Sequence, residues 1–283
     1  MKSDTKLVGI LNYTPDSFSD GGKFFTVEKA LQQVKHLIDG GADIIDVGAE
    51  STRPRYLYTE HGRNTITQPE EWNRLQNILP AIIEIAHSHN VQVSIDTRHA
   101  KTAEKAIELN VDYINDVSTL ADDNMIKVLQ NSSASIIITH NLGIPLVEGN
   151  NIPEDRDPIN EIITWAQKCI LKLTDAGISK DRIIIDPGIG FSKTSIQALY
   201  ILNNIDKLKT LNYPIYVGHS RKSFLSLCKL NDSTRNNATL TVSIFLFQKR
   251  IDFIRVHDTH LHSEAFRVLR KIQQTNLSDI KQN

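Results

Sequence analysis

Two kinds of segment alternate along the chain. One is a short, mostly apolar run that ends on or just before a polar side chain: 7–11 before Asn12, 44–48 around Asp46, 91–95 before Asp96, 112–116 around Asn115, 135–139 before His140, and 183–185 before Asp186. Two more follow, 215–217 ahead of Gly218 to Lys222, and 253–256 around Arg255 and ahead of His257. The three isoleucines at 183–185 show no polar alternation, as expected of a strand covered on both faces. The other kind of segment repeats apolar residues with a helical period, at 27–39, 69–88, 100–109, 124–130, 159–176, 196–205, 237–249 and 263–274. Gly40 with Gly41, and Gly177, stop two of these; Glu70 and Glu71 open the second, and Pro80 predicts a kink or break within it. Eight strands alternating with eight helical segments predict an α/β fold, a single (β/α)8 TIM barrel spanning residues 1–283, close to the usual size of about 250 residues. A doubly wound open sheet is the competing arrangement, but the glycine fingerprint it would carry after the first strand is missing.

A barrel collects the carboxyl ends of its strands at one mouth, where barrel enzymes do their chemistry. Asn12, Asp46, Asp96, Asn115, His140, Asp186, Lys222, Arg255 and His257 would all converge there. Asp96, Asn115 and Asp186 offer acceptors and one amide donor, the complement of a flat heterocycle bearing an amino group and ring N–H groups. Lys222, Arg255 and His257 come from the last strands, where barrels often hold phosphate, and would neutralise an anionic leaving group. The pattern implies a two-ended substrate. Long polar stretches after the first and second strands, 12–22 and 55–68, are candidates for functional loops.

Composition narrows the classes. A net charge of -1 and an isoelectric point near 6.8 give no reason to expect nucleic acid. No apolar stretch nears the roughly 18 residues of a membrane span, and the first apolar run is too short for a signal-peptide core. Cys169 and Cys228 form no Cys-x-x-Cys pair, so both read as reduced thiols and a cytoplasmic setting is expected. The run from Gly188 to Thr194 imitates a phosphate loop, yet Ser192 stands where a Walker motif needs glycine before Lys193. His257, His260 and His262 are spaced poorly for one zinc ion, and Ser220 lacks the G-x-S-x-G elbow of a serine hydrolase.

The chain resembles the dihydropteroate synthase family over about residues 7–272. The likeness rests on Gly9 through Gly22, Ile45 to Gly48 with Glu50 to Pro54, Asp186 to Phe191, Ser220 to Lys222, and Ile254 to Asp258. It implies a pterin pocket at Asp96, Asn115, Asp186, Phe191 and Lys222. It also implies a Mg2+ and pyrophosphate site at Asn12, with Thr52, Arg255 and His257 on the anion. Phe18, Ser19, Thr52, Arg53 and Ser223 would meet 4-aminobenzoate, and Asp20 and Arg53 would join Asp96, Asp186 and Lys222 in catalysis. The reaction implied is condensation of 6-hydroxymethyl-7,8-dihydropterin pyrophosphate with 4-aminobenzoate, by an SN1-like route through a pterin-methylene cation, in a homodimer.

Three departures from the family pattern stand out. The stretch between Pro54 and Glu70 is longer than usual and carries Arg55, Tyr56, Tyr58, His61 and Arg63, which bears on aminobenzoate and sulfonamide selectivity. Ala49 and Ser192 occupy positions where glycine is common, and His219 precedes Ser220. The alternatives are a diverged paralogue that holds pterin without turnover and a methyltransferase acting on methyltetrahydrofolate. The latter predicts no pyrophosphate site, against which Lys222, Arg255 and His257 speak.

Overall fold

The computed structural model describes residues 5–14, 26–50, 65–144, 147, 149–229 and 234–275. Its elements run β1 (Lys6–Asn12), α1 (Val27–Asp39), β2 (Ile44–Gly48), α2 (Gln68–Leu75), α3 (Leu79–Ser88), β3 (Gln92–Asp96), α4 (Ala100–Glu108), β4 (Tyr113–Asp116) and α5 (Met125–Gln130). They continue with β5 (Ser135–Thr139), α6 (Pro158–Asp175), β6 (Ile183–Asp186), α7 (Ser195–Asn203), β7 (Tyr216–Gly218), α8 (Arg235–Gln248), β8 (Phe253–Val256) and α9 (Thr259–Gln274). No strand residue is exposed, because helices cover the outer face and side chains fill the inner one.

Every strand pairs in parallel with its neighbour, in the order β6-β5-β4-β3-β2-β1-β8-β7. The ring closes between β6 and β7, where Ile185 bridges Ile215 and its N–H donates to the Pro214 carbonyl at 2.9 Å. The fold is therefore the predicted (β/α)8 barrel.

The predicted 69–88 helix is two helices. Residues 76–78 separate them and Pro80 sits in the first turn of α3, where its missing N–H costs nothing; the chain breaks rather than kinks. Thr67 and Glu70 cap α2 reciprocally. The final helix starts at Thr259, ahead of the predicted 263, because the Asp258 side chain accepts from Leu261 N at 3.0 Å and starts the helix before its apolar period begins.

Inside the barrel, Val8, Ile44, Tyr113, Ile137, Ile184, Tyr216 and Phe253 form a separate apolar cluster. Phe253 packs on Tyr113 and Tyr216 with centroids 6.3 and 6.0 Å apart. Below it, Gln92 Oε1 accepts from both Lys6 Nζ and the Tyr113 hydroxyl at 2.9 Å, sealing the amino-terminal end of the barrel. Burying each large apolar side chain contributes roughly 1.5–3 kcal/mol, so this layer is a structural floor.

Candidate active site

Side chains two residues apart on a strand share a face. The residues two beyond Ile44, Tyr113, Ile184, Tyr216 and Phe253 are Asp46, Asn115, Asp186, Gly218 and Arg255. A layer of charge thus sits directly above the apolar floor. Strand register adds Asp96, which lies between Gly48 and Asn115.

Arg255 organises one half of this layer. Its Nε lies 2.6 Å from Asp46 Oδ2, and its Nη2 donates to Asp96 Oδ2 at 2.9 Å. Burial opposes the charge on Arg255, but Asp46 and Asp96 more than compensate, so its pKa rises. Burial pushes Asp96 up to about 7 against the pull of Arg255. Asn115 Nδ2 donates to Asp46 Oδ2 at 3.2 Å. Asn115 Oδ1 and Asp46 Oδ1 are buried with no hydrogen-bond partner among the described residues. Such acceptors are costly unless something donates to them.

Asp186 and Lys222 organise the other half. Gly218 faces both: a Cβ built there would lie 3.8 Å from Lys222 Nζ and from Arg255 Cδ, and 3.9 Å from Asp186 Oδ2. The bare glycine leaves the space in which these three groups meet. Asp186 Oδ1 accepts from Gly188 N at 2.7 Å. Burial raises the Asp186 pKa, opposed by Lys222, the Gly188 N–H and Lys193. Burial lowers Lys222 to about 8, opposed by Asp186. The Lys222 ammonium donates to the Ile189 carbonyl and stands 4.6 Å from the centre of the Phe191 ring. Gly190 holds φ +83°, and a Cβ on it would come within 2.8 Å of the Lys222 stem. Glycine is required there by conformation and by contact.

Beside the charged layer a cavity of about 330 Å³ is walled by Asn12, Gln33, His36, Arg221, His257 and Asp258, together with Ile10 and Leu11. Ser220 Oγ holds His257 Nδ1 at 2.8 Å, fixing the imidazole at this wall. Ser223 is exposed at the start of a short 3₁₀ helix, Ser223–Cys228, immediately after Lys222. His262 is buried with its Nδ1 on the Asp258 carbonyl, and His260 packs on His36 with centroids 4.5 Å apart. The buried Lys193 points at backbone carbonyls rather than outward as a phosphate-loop lysine would.

The structure therefore brings Asp96, Asn115, Asp186, Phe191, Lys222 and Arg255 into one cluster, and places Asn12 and His257 on the cavity wall. Arg255 is turned to the Asp46 and Asp96 carboxylates, so it bridges the two halves rather than standing only on the anion side. Phe18, Ser19, Asp20, Thr52 and Arg53 lie outside the described residues. Sequence reading places Asp46 at the barrel mouth but gives it no role, and it sets Lys193 aside with the phosphate-loop reading. It also passed over Glu50. That carboxylate takes Arg98 Nε at 2.8 Å and Ile66 N at 3.0 Å, tying the end of the second loop to the segment just after β3.

A model of the family described as pterin binding enzyme matches residues 8–257. The chain is 40% identical over 263 residues to the dihydropteroate synthase of Clostridium beijerinckii, covering 92% of this chain and 91% of that one. Among solved structures, it is similar to the dihydropteroate synthase of Anaplasma phagocytophilum with bound 6-hydroxymethylpterin-monophosphate. Identity is 43%, coverage 95% and 99%, and the TM-score 0.85. It is also similar to the Xanthomonas albilineans dihydropteroate synthase with 4-aminobenzoic acid, at 26% identity, 96% and 94% coverage and a TM-score of 0.83.

Proposed function

This chain belongs to the dihydropteroate synthases of the pterin-binding enzyme family, and from that premise we propose which of its groups do the work. It is a transferase that joins a dihydropterin to 4-aminobenzoate, with 6-hydroxymethyl-7,8-dihydropterin pyrophosphate as the donor and pyrophosphate as the leaving group. The observation that carries the assignment of roles is the meeting of Asp186, Lys222 and Arg255 around the bare Gly218, beside the unmet acceptor of Asn115.

In this reading Asp186, Asp96 and Asn115 take the amino and ring N–H groups of the pterin, while Lys222 donates to a ring acceptor and Phe191 lies against the ring. Pyrophosphate departs toward Lys222, Arg255 and His257. The Asp96 and Asp186 carboxylates then stabilise the cation that departure leaves on the pterin methylene. An SN1-like route needs no protein nucleophile, and the aryl amine captures the carbon. Ser223, exposed just after Lys222, would meet 4-aminobenzoate, as would Phe18, Ser19, Thr52 and Arg53.

Magnesium fits the residues present. It takes oxygen ligands, keeps several waters and binds through one or two protein oxygens plus substrate phosphates. Asn12 lines the cavity wall that it shares with His257 and offers such an ion an amide oxygen. Asn12 would hold the ion, which would supply charge neutralisation to pyrophosphate.

A homodimer and a cytoplasmic location belong to the same reading. Ile196, Leu199 and Tyr200 stand exposed on α7, apolar surface that a second copy would cover, and both Cys169 and Cys228 are free thiols. No helix among the described residues is long and apolar enough to cross a membrane.

The test is turnover. Purified protein with magnesium, the dihydropterin pyrophosphate and 4-aminobenzoate is expected to release dihydropteroate and pyrophosphate in equal amounts, with Lys222→Ala abolishing both. Pterin binding without dihydropteroate, where a control enzyme works, would identify a non-catalytic paralogue instead.

A further inference from the structure

The loop that carries Phe191 is built from unusual backbone. Gly188, Gly190 and Ser192 have φ of +69°, +83° and +48°. For serine that region costs roughly 1 kcal/mol or more, so the loop must be held from outside. Two adjacent side chains hold it to the end of β5. Ser192 Oγ donates to Asn141 Oδ1 and accepts from Leu142 N, both at 3.0 Å. Lys193 goes deeper: its Nζ meets Phe191 O at 2.8 Å, His140 Nδ1 at 2.9 Å and His140 O at 3.2 Å.

Burial lowers the Lys193 pKa to about 7, opposed by Asp186; in the charged form those three acceptors take all three N–H groups. They come from two strand ends, His140 after β5 and Phe191 after β6. Burial, with Lys193 close by, holds the His140 imidazole neutral with a pKa down near 3, so its Nδ1 accepts rather than competes. The strand ends are already in contact, since a Cβ on Gly188 would fall 2.1 Å from His140 O and 3.2 Å from Lys193 Nζ. Lys193 therefore sits in the seam between β5 and β6, behind the pterin pocket. No described carboxylate bonds it. Asp186, whose other side faces Lys222, acts on it only through space.

We propose that Lys193 is a positioning residue for the pterin site: by fixing the Phe191 carbonyl to the end of β5 it sets the height and tilt of the Phe191 ring and, through that ring, of Lys222. This rests on the pterin-pocket reading above, but the role is separate from it, because Lys193 touches neither substrate nor reacting atoms. Removing the ammonium leaves the carbonyls of His140 and Phe191 without their buried donor, and the left-handed loop relaxes. A displacement of about 1 Å in a site of this kind can cost up to about 100-fold.

The experiment is a cycle of Lys193→Met, Phe191→Leu and the double variant, read by equilibrium binding of 6-hydroxymethylpterin monophosphate, with steady-state kinetics alongside. Lys193→Met is expected to weaken pterin binding about tenfold and to raise KM for the pterin pyrophosphate to match. KM for 4-aminobenzoate should change by less than about twofold, because that substrate meets other loops. In the Phe191→Leu background the same change should add less than about twofold, since the group it acts through is gone. Full additivity, or equal loss of both KM values tracking a lowered melting temperature, would overturn the proposal. If Lys193→Met does not fold, Lys193→Gln, which keeps an N–H donor, replaces it in the same cycle, with a smaller pterin-specific loss expected. Wild-type binding without turnover would sink the synthase reading while leaving this cycle interpretable.

Discussion

Two layers of the barrel interior lie one strand repeat apart and are governed by opposite physics. In the lower, Ile44, Tyr113, Ile184, Tyr216 and Phe253 fill the barrel with apolar volume. In the upper, Asp46, Asn115, Asp186, Gly218 and Arg255 stand two residues further along the same strands, about 7 Å higher. The lower layer gains by excluding water. Holding the upper one is expensive, since burial pushes Asp96, Asp186 and Lys222 toward their neutral forms; Arg255 opposes this at Asp96 and Asp186, and Asp186 and Lys222 oppose it in each other. The comparison teaches that the floor exists so that the charges above it can be dry. A low-dielectric base strengthens every interaction those charges make with a ligand.

The sharpest way to break this division is to change one member of each layer. Lys222→Ala is expected to lower kcat/KM at least about 10³-fold, some 4 kcal/mol of transition-state stabilisation. It should also lose stability, by up to about 3–5 kcal/mol, because removing one partner of a buried pair leaves the Asp186 carboxyl without its main compensating charge, yet the variant should still fold. Ile184→Ala should spare the chemistry, costing about 2–4 kcal/mol in denaturant unfolding while kcat of the folded fraction stays within about threefold. If Ile184→Ala left stability untouched, or if Lys222→Ala unfolded the protein, the two layers would not be separable in this way.

How far the sequence revealed these layers follows from the same physics. The strands were legible because runs such as Ile183 to Ile185 are apolar on both faces and stop at a carboxylate, and the helices because α1 and α9 keep their period. Convergence of Asp96, Asn115, Asp186 and Lys222 followed from the barrel alone. What stayed hidden depends on contacts distant in sequence. Asp46 on β2 is tied to Arg255 on β8 across β1, and Lys193 to His140 across the β5–β6 seam. No spacing rule within one strand announces either. Pro80 and Asp258 set helix limits through local chemistry that periodicity does not register. Ser192, a departure where glycine is common, keeps the left-handed backbone and adds side-chain bonds that hold it. The longer second loop lies outside the described residues.

A buried carboxyl outside both layers shows the third option, neutrality. Glu71 on α2 is fully buried behind β3, where Thr97 Oγ1 donates to its Oε2 at 2.7 Å. Burial raises its pKa from an ordinary 4.5 to about 7; the threonine hydrogen bonds and Arg98 pull the other way, while Glu50 adds to the rise. A raised carboxyl pKa means that between pH 4.5 and about 7 the folded chain holds a proton the unfolded chain has released. Stability from this group is therefore complete below about pH 4.5 and is lost as pH rises toward 7. Glu71→Gln keeps the neutral form at every pH. Its melting temperature should match wild type near pH 5 and exceed it by pH 8, by an amount equivalent to about 1 kcal/mol once α2 has relaxed, with about 3 kcal/mol as the ceiling. Activity should change little, since the group lies outside the pocket and reaches Asp96 only through space. A difference between the two proteins that stays flat from pH 5 to 8 would mean that Glu71 stays ionised in the fold, its charge offset by Arg98.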